Sequence, residues 1–449
     1  MQFTNLTAHN EPAHDTTPEQ IEAPRVKAPL PPQFDQCCHP IGEPRMPGFR
    51  YCAAPVAQPG AVRLLHVTEA PRGGVLTYLF NLIEAQVVSS EIELVHVLGP
   101  SVNEPVLRQC RSPKLRVDSI RYERRSWRTL LRLGVATLRA VRQVRPDIVH
   151  IHSSLAGVIV RICLLPVRRR PKLIYTPHAW SFSPGATRNV WFRGTCERVL
   201  ALWTHRIICV SEDEMRLALD AGISQARCAV VLTGISSHAA VTTAVLGPEP
   251  RRRRRVLFVG RFDYQKGFDI YLEVMRLLGE RAEGIVAGSP IVSKPMDIPI
   301  PPNVRTLGWC SPDQVLALYR EADLLLMPSR FEGLPMVALE AMQAGVPIFA
   351  SNAGPMREVV EDGVSGRLFP GAPPDQIAAE IASTSDEQLR RFGQAGRDIF
   401  QRRFTAERMS RDMLEAYRAV LGESGASNSP VGARWRSMLD STVRPRATI

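Results

Sequence analysis

Short apolar runs alternating with amphipathic helical stretches, in two successive blocks, constrain this chain more than any other feature. From Arg63 onward, Leu64–Thr68, Leu94–Leu98, Ile148–His152, Leu173–Thr176, Ile207–Val210 and Val230–Leu232 read as buried strands with helical periodicity between them. Runs of this kind bury both faces only in a parallel sheet covered by helices on each side. A second block opens at Val256–Val259 and continues through a helix at Phe268–Leu278 and strands at Gly284–Ala287, Val304–Leu307, Leu324–Met327 and Pro347–Ala350. It closes with a short helix near Pro355–Glu361 and a strand at Gly366–Phe369, and a helix returns over Ala406–Leu421. The expected class is α/β, with two doubly wound, Rossmann-like domains. Ligands of such folds lie beyond the carboxyl ends of the strands, so functional residues should follow strands directly.

The expected boundaries are an irregular extension over 1–60, a first domain over 61–236, a linker over 237–254, a second domain over 255–403, a helix over 404–421 and a disordered tail over 422–449. Within the first domain, Ser211 and Glu214 form a capping box for a helix that Gly222 ends; Ser311, Pro312, Asp313 and Gln314 make the equivalent start in the second.

A net charge of +12 and a pI near 9.6 favour anionic partners: nucleic acid, acidic lipid or a phosphorylated substrate. The nine cysteines show no paired metal spacing, and Cys37, Cys38 and His39 lack a second ligand pair, so reduced thiols in a cytoplasmic protein are expected. The first residues carry no basic and apolar signal pattern, and no apolar stretch approaches the roughly 20 residues a membrane span needs.

Chemistry concentrates in four segments. In Ser329–Pro347, Glu332 falls on a loop and Glu340 inside the helix Met336–Ala344, which Pro335 precedes and Gly345 ends. The helix N-terminus between them, with Gly333, Leu334 and Met336, suits a diphosphate; one carboxylate then meets sugar hydroxyls and the other ribose hydroxyls. In Gly260–Gly267, Arg261 offers a fork of donors and Lys266 a point charge to the same diphosphate. Gly73 and Gly74 follow the first strand and allow close backbone approach to a phosphate or sugar, or simply make a tight turn. His178 follows Leu173–Thr176 beside Trp180 and Phe182 and is placed either to bond a sugar or to serve a structural role. His150 and His152 alternate with apolar residues and read as structural or cleft-lining, not as metal ligands.

Together these segments resemble the retaining glycosyltransferases of family 4, of the bacterial polysaccharide-biosynthesis type. The resemblance covers roughly 63–421, through Gly73–Gly74, the PHAW segment at His178, VSEDE at Val210–Glu214, VGRFDYQKG at Val259–Gly267, Pro328–Pro347 and Glu358–Phe369. It implies the GT-B fold, two such domains facing each other across a cleft, with the C-terminal helix returning to the first. It implies that Arg261 and Lys266 hold the diphosphate, Glu332 meets the donor sugar, Glu340 binds the ribose and His178 lies near the reacting sugar. It further implies transfer with retention from a UDP- or GDP-linked donor to a saccharide or polyprenyl-linked acceptor, with no cofactor and no obligatory metal; the absence of a DxD-type pair agrees. One departure stands out: where the family has a glycine–acidic–glycine–proline loop and a helix, Ala287-Gly288-Ser289-Pro290 runs into a proline-rich stretch, and a lost or shortened helix is expected. The alternatives are another GT-B sugar-nucleotide enzyme such as an epimerase, or a non-catalytic sugar-nucleotide binder. A nucleic-acid-binding protein would need a binding module that the sequence does not display.

Trp127–Arg145 mixes apolar residues with Arg128, Arg132, Arg139, Arg142 and Arg145. It reads either as a surface for an anionic membrane, placing the protein on the cytoplasmic face of the inner membrane, or as a helix packed on its own sheet with a solvated arginine face.

Overall fold

The structure, a computed structural model, describes residues 60–71, 73–121, 126–182, 190–236, 253–289 and 298–422, with the backbone of a short antiparallel pair, β1 (Pro40–Ile41) and β2 (Arg50–Tyr51). That pair belongs to a unit of its own, Met1–Val56; everything below concerns the unit Ala57–Ile449. The extension, most of the linker, the tail, and Cys37, Cys38 and His39 lie outside the described residues.

Two parallel sheets organise the chain. The first holds β3 (Val62–Thr68), β4 (Ile92–Pro100), β5 (Leu115–Ile120), β6 (Ile148–His152), β7 (Lys172–Thr176), β8 (Arg206–Cys209) and β9 (Cys228–Val230), in the order β5-β4-β3-β6-β7-β8-β9. The second holds β10 (Arg254–Val259), β11 (Ala282–Ala287), β12 (Val304–Thr306), β13 (Leu324–Met327), β14 (Ile348–Ser351) and β15 (Gly366–Phe369), in the order β12-β11-β10-β13-β14-β15. In each sheet the winding reverses beside the first strand, at β3/β6 and at β10/β13, and the crevice at such a reversal is where ligands of these folds bind. The central strands are buried along nearly their whole length, as their continuous apolar runs require.

Several elements differ from expectation. Leu115–Ile120 forms the edge strand β5, which buries only Ile120 and carries Arg116, Asp118 and Ser119, and so lacks a continuous apolar run. The helices Pro374–Ser383 and Asp386–Arg403 were not anticipated; the second buries only Leu389, Phe392, Gly393, Gly396, Ile399 and Phe400 among many charges. β14 begins at Ile348, because Pro347 has no N–H to give; its carbonyl still accepts from Leu325 N–H at 2.9 Å. Ser311 and Gln314 form the expected capping box. Ser211 and Glu214 do not: Ser211 Oγ accepts from Glu214 N–H at 3.1 Å, but the Glu214 carboxylate reaches past it to Val210 N–H, at 2.9 Å. Between β11 and β12, residues 290–297, where a lost or shortened helix was expected, lie outside the described set. Arg254 and Arg255 are strand residues held by Asp386 and by Glu283 and Glu321.

The C-terminal helix Ala406–Leu421 packs on the first domain. Ile235 and Phe404–Ala406 exchange backbone hydrogen bonds of 2.9 Å, Arg418 pairs with Glu91, and Tyr417 is buried against the first sheet. Among the described residues no helix is long and apolar enough to cross a membrane. The six described cysteines are free thiols; Cys209 and Cys228 are buried and the other four half-buried.

Candidate functional site

The second domain's site starts at the carboxyl ends of β10 and β13. Gly267, at φ 65°, lets the loop after β10 pass against the backbone of Pro328, and this brings Lys266 to the Ser329–Leu334 loop. Lys266 Nζ lies 2.6 Å from Glu332 Oε1, which also accepts from Ser329 Oγ at 2.7 Å. The Glu332 side chain is only 5% exposed and that of Lys266 18%, so the pair is nearly dry and each charge depends on the other. Arg261 stands nearer to solvent, its Nε 3.1 Å from Asp263 and its Nη2 donating to Gln265 Oε1 at 2.7 Å. A second bridge fixes the two loops together: Arg330 forks onto Asp269 at 2.5 and 2.8 Å and stacks over Tyr264 at 3.8 Å. The guanidinium holds the Asp269 carboxyl below its ordinary range.

Gly333 and Leu334 lead into the helix Met336–Ala344, whose N-terminus carries no side-chain cap, an end that suits an anion, although Ala338 N–H already donates to the Pro335 carbonyl at 3.1 Å. One turn in, Glu340 Oε2 accepts from Tyr319 Oη at 3.1 Å. Burial pushes its carboxyl up to about 7, against the smaller opposing effect of that hydrogen bond.

The first domain meets this edge closely. A methyl group at Gly74 would come 3.7 Å from Met336 Cγ, and one at Gly333 would come 3.6 Å from Ala179 Cβ. Gly73, at φ 78°, is the N-cap of the helix Gly74–Val87, and its carbonyl accepts from Leu76 N–H at 3.0 Å. Three non-glycine residues at the ends of β6 and β7 hold positive φ: Ser153 (74°), His178 (54°) and Ala179 (91°). Such strain persists only where surroundings impose it. Here Glu69 accepts from Ser153 Oγ and from Ala156 N–H at 2.8 Å, while Glu214 accepts from Ala179 N–H and Trp180 Nε1 donates to the Glu214 carbonyl at 2.8 Å. Burial pushes the Glu214 carboxyl up to about 7. A further tie crosses between the domains: Glu358 accepts from the Glu212 and Asp213 N–H groups, each at 2.8 Å, so an acid of the second domain caps a helix of the first.

His178 is half-buried, and burial lowers its imidazole to about 3. Its Nε2 lies 3.0 Å from His152 Nδ1. His152 and His150 are fully buried beside His66, with ligating nitrogens of the three within 4.8 Å of one another.

Two family models match the chain, the glycosyl transferase 4-like domain over residues 73–234 and glycosyl transferases group 1 over residues 247–399. The chain belongs to the family 4 glycosyltransferases. An uncharacterised 41.2 kDa protein in the cps region of Klebsiella pneumoniae is 29% identical over 373 residues, 80% of this chain and 100% of that protein. D-inositol 3-phosphate glycosyltransferase of Mycobacterium tuberculosis is 27% identical over 440 residues, 88% of this chain and 87% of that one. Among solved structures, Anabaena HepE in complex with UDP and glucose has a TM-score of 0.66 at 17% identity, covering 80% of this chain and 100% of its own. Sucrose-phosphate synthase from Thermosynechococcus elongatus has a TM-score of 0.67 at 19% identity, covering 81% and 100%. These likenesses, with the two sheets, establish the GT-B fold.

In this family 4 glycosyltransferase, the structure brings Lys266, Glu332, Gly333 and Met336 to one edge, with Arg261 on the adjoining loop and Gly74 and the His178–Ala179 turn opposite. Sequence reasoning missed Ser329, the Arg330–Asp269 bridge and Glu358, and read Glu214 only as part of a helix cap. Glu358 was visible only as an acid in a quoted motif, and nothing in the spacing of either acid says that Glu358 reaches Glu212 and Asp213 or that Glu214 reaches Ala179.

Proposed function

We propose that this glycosyltransferase moves a sugar from a UDP- or GDP-linked donor to a saccharide or lipid-linked saccharide in polysaccharide synthesis, with retention and without a metal. The observation that carries this reading is the dry Lys266–Glu332 pair beside an uncapped helix N-terminus, opposite His178. Lys266, Arg261 and the helix N-terminus at Met336 supply the positive charge that a departing nucleoside diphosphate needs. Glu332, held through Oε1 by Lys266 and Ser329, is read as a hydrogen-bond acceptor for sugar hydroxyls and not as a covalent nucleophile. This favours front-face transfer: the bond from C1 to the phosphate oxygen breaks with its electron pair leaving on the phosphate, the acceptor oxygen bonds C1, and its proton passes to the departing phosphate. The cps-region relative supports the polysaccharide context.

The test is incubation of the full chain with a panel of labelled UDP- and GDP-sugars and a membrane lipid extract. At least one donor should yield a product with the anomeric configuration of the donor, and excess EDTA should leave the rate unchanged. Hydrolysis or epimerisation without transfer, an inverted product, or loss of activity in EDTA would each refute the corresponding part.

Glu340, read as the ribose acceptor, predicts a pH dependence. Its carboxyl is raised to about 7 in the free protein, and ribose hydroxyls donate to the ionised form. Binding therefore releases a proton below pH 7, and donor affinity should rise about 10-fold from pH 6 to pH 8, then level off. Calorimetric titration checks this, with Glu340→Gln expected to bind more weakly and without the pH slope. The sign for folding is opposite: the raised value gives stability that is full below the ordinary carboxylate range and lost as pH rises through about 7.

We further infer that the first domain rests on an anionic bilayer. The helix Trp127–Val144 does pack on its sheet through Thr129, Leu133, Gly134, Thr137, Ala140, Val141 and Val144, yet it also exposes Trp127 (69%), Leu131 and Val135 among Arg128, Arg132 and Arg139. The adjacent helix Ser154–Cys163 exposes Ile162, and the helix Val190–Ala201, tied to it by the buried Arg161–Glu197 pair, exposes Trp191 (83%) and Phe192. Exposed aromatic residues beside arginines suit a bilayer interface. The protein should float with anionic liposomes, less so at high salt, and Trp127→Ser with Trp191→Ser should reduce recovery several-fold. Equal recovery on neutral liposomes would count against it.

A further inference from the structure

We propose that a one-way chain of hydrogen bonds through the first domain sets the tautomer of His178, making Gln86 and Tyr417 positioning residues for sugar transfer. The role in transfer rests on the proposed placement of His178 beside the donor sugar; the chain of bonds itself does not.

The direction follows from the orientation of the Gln86 amide, which has one donating and one accepting end. Its Nε2 donates to Tyr417 Oη at 3.1 Å, so its Oε1 faces His66 Nε2 at 2.9 Å and must accept from it. His66 then carries its proton on Nε2, leaving Nδ1 as an acceptor. His152 Nε2, 3.0 Å from His66 Nδ1, is therefore the donor, and His152 Nδ1 accepts in turn. The next partner is His178 Nε2, at 3.0 Å, which must be N–H. His178 is thus left with a lone pair on Nδ1, an acceptor for a hydroxyl of the ligand. On the other side, Tyr417 Oη gives its own proton to His150 Nδ1 at 2.8 Å, and His150 Nε2 donates to Thr176 Oγ1 at 2.8 Å. Gln86, His66, His152, Tyr417 and His150 are each used once as donor and once as acceptor, and the path ends at His178 Nδ1 on one side and Thr176 Oγ1 on the other.

The chain requires neutral rings. Burial lowers His66 to about 4 and His178 to about 3, and holds His150 and His152 well below the ordinary imidazole value, so all four are neutral at pH 7. Tyr417 reaches the chain from the C-terminal helix, which follows the second domain in sequence. Reversing the Gln86 amide would reverse every proton and present His178 Nδ1 as a donor. Tyr417 and Gln86 therefore act on the substrate only through His178.

His66, His150 and His152 also gather closely enough to hold a metal, but His66 Nδ1 and His152 Nε2 are already engaged with each other. A metal there would break the chain, which makes it a decisive alternative.

The experiment uses the full chain with nitrogen-15 histidine. Long-range proton–nitrogen correlation spectra should show His178 protonated on Nε2 in the wild type, and elemental analysis should find no stoichiometric metal. Tyr417→Phe keeps the ring and removes the hydroxyl; Gln86→Met removes both amide ends. Each should give His178 a mixture of tautomers and lower kcat about 10-fold, with the donor KM changed less than about 3-fold. A wild-type His178 protonated on Nδ1, bound metal, or variants that lose kcat with the His178 signals unmoved would overturn the proposal. His178→Ala separates the two readings: if it transfers sugar normally while the tautomer shifts in Tyr417→Phe, the chain of bonds stands and the placement of His178 beside the sugar falls, and with it the role of Gln86 and Tyr417 in transfer.

Discussion

Glu332→Ala should lower kcat/KM by about 10³, on the order of 4 kcal/mol of transition-state stabilisation, and should also destabilise the second domain by about 3 kcal/mol. Two effects add. The sugar loses its hydrogen-bond acceptor, and Lys266 Nζ is left nearly dry without the carboxylate that stands 2.6 Å away. Removing one partner of a buried pair costs more than removing both, because the survivor keeps its desolvation penalty. Lys266→Met should therefore be comparably inactive, since the diphosphate loses its point charge, and it too should be destabilised. The double variant Lys266→Met/Glu332→Leu separates the effects. It should regain most of the thermal stability lost by either single change while remaining inactive. Thermal unfolding and steady-state kinetics on the four proteins complete the cycle. Additive stability losses would mean that the two side chains are not a pair in solution; activity in the double variant would mean that neither serves the reaction.

How much of this was legible in the sequence depended on whether the determining interactions were local. The central strands could be read because burial on both faces demands unbroken apolar runs, as in Leu324–Met327 and Ile148–His152. The edge strand β5 could not, because one side of LRVDSI faces solvent and carries Arg116 and Asp118. Asp386–Arg403 escaped for the same reason: its apolar stripe is narrow and charged residues surround it. Within the site, Lys266, Glu332 and Glu340 could be placed because each follows a strand end or a helix start. What the spacing could not show is whom they bind. Lys266 and Glu332 are 66 residues apart in sequence, Glu212 and Glu358 146, Gln86 and Tyr417 331. His150 and His152 read as structural or cleft-lining from their alternation alone; only the fold shows that His66, Gln86 and Tyr417 complete a hydrogen-bonded set around them. Polar partners chosen by tertiary packing leave no period in the chain.

The second large effect should come from a single methyl group. A Cβ at Gly267 would lie 2.0 Å from the Pro328 carbonyl oxygen and 2.8 Å from its carbonyl carbon, and φ is 65°. Left-handed backbone costs alanine roughly 1–2 kcal/mol. The collision adds to that cost because both sides are main chain: relief requires the loop after β10 to part from the loop after β13. Gly267→Ala should therefore cost at least about 3 kcal/mol, lowering Tm by roughly 6–12 °C by the scaling for domains of this size. It should also weaken donor binding more than 10-fold, because the neighbouring Lys266 is carried away from Glu332. Gly422→Ala supplies the control, since Gly422 is left-handed as well (φ 83°, ψ 16°) but a Cβ there would meet nothing within 4 Å. That variant should show the backbone cost alone, about 1–2 kcal/mol, with donor affinity unchanged. Equal losses in the two variants would mean that the loops do not touch at Gly267. A larger loss at Gly267, shared by stability and donor affinity, would show that the backbone contact with Pro328 holds the Lys266–Glu332 pair together.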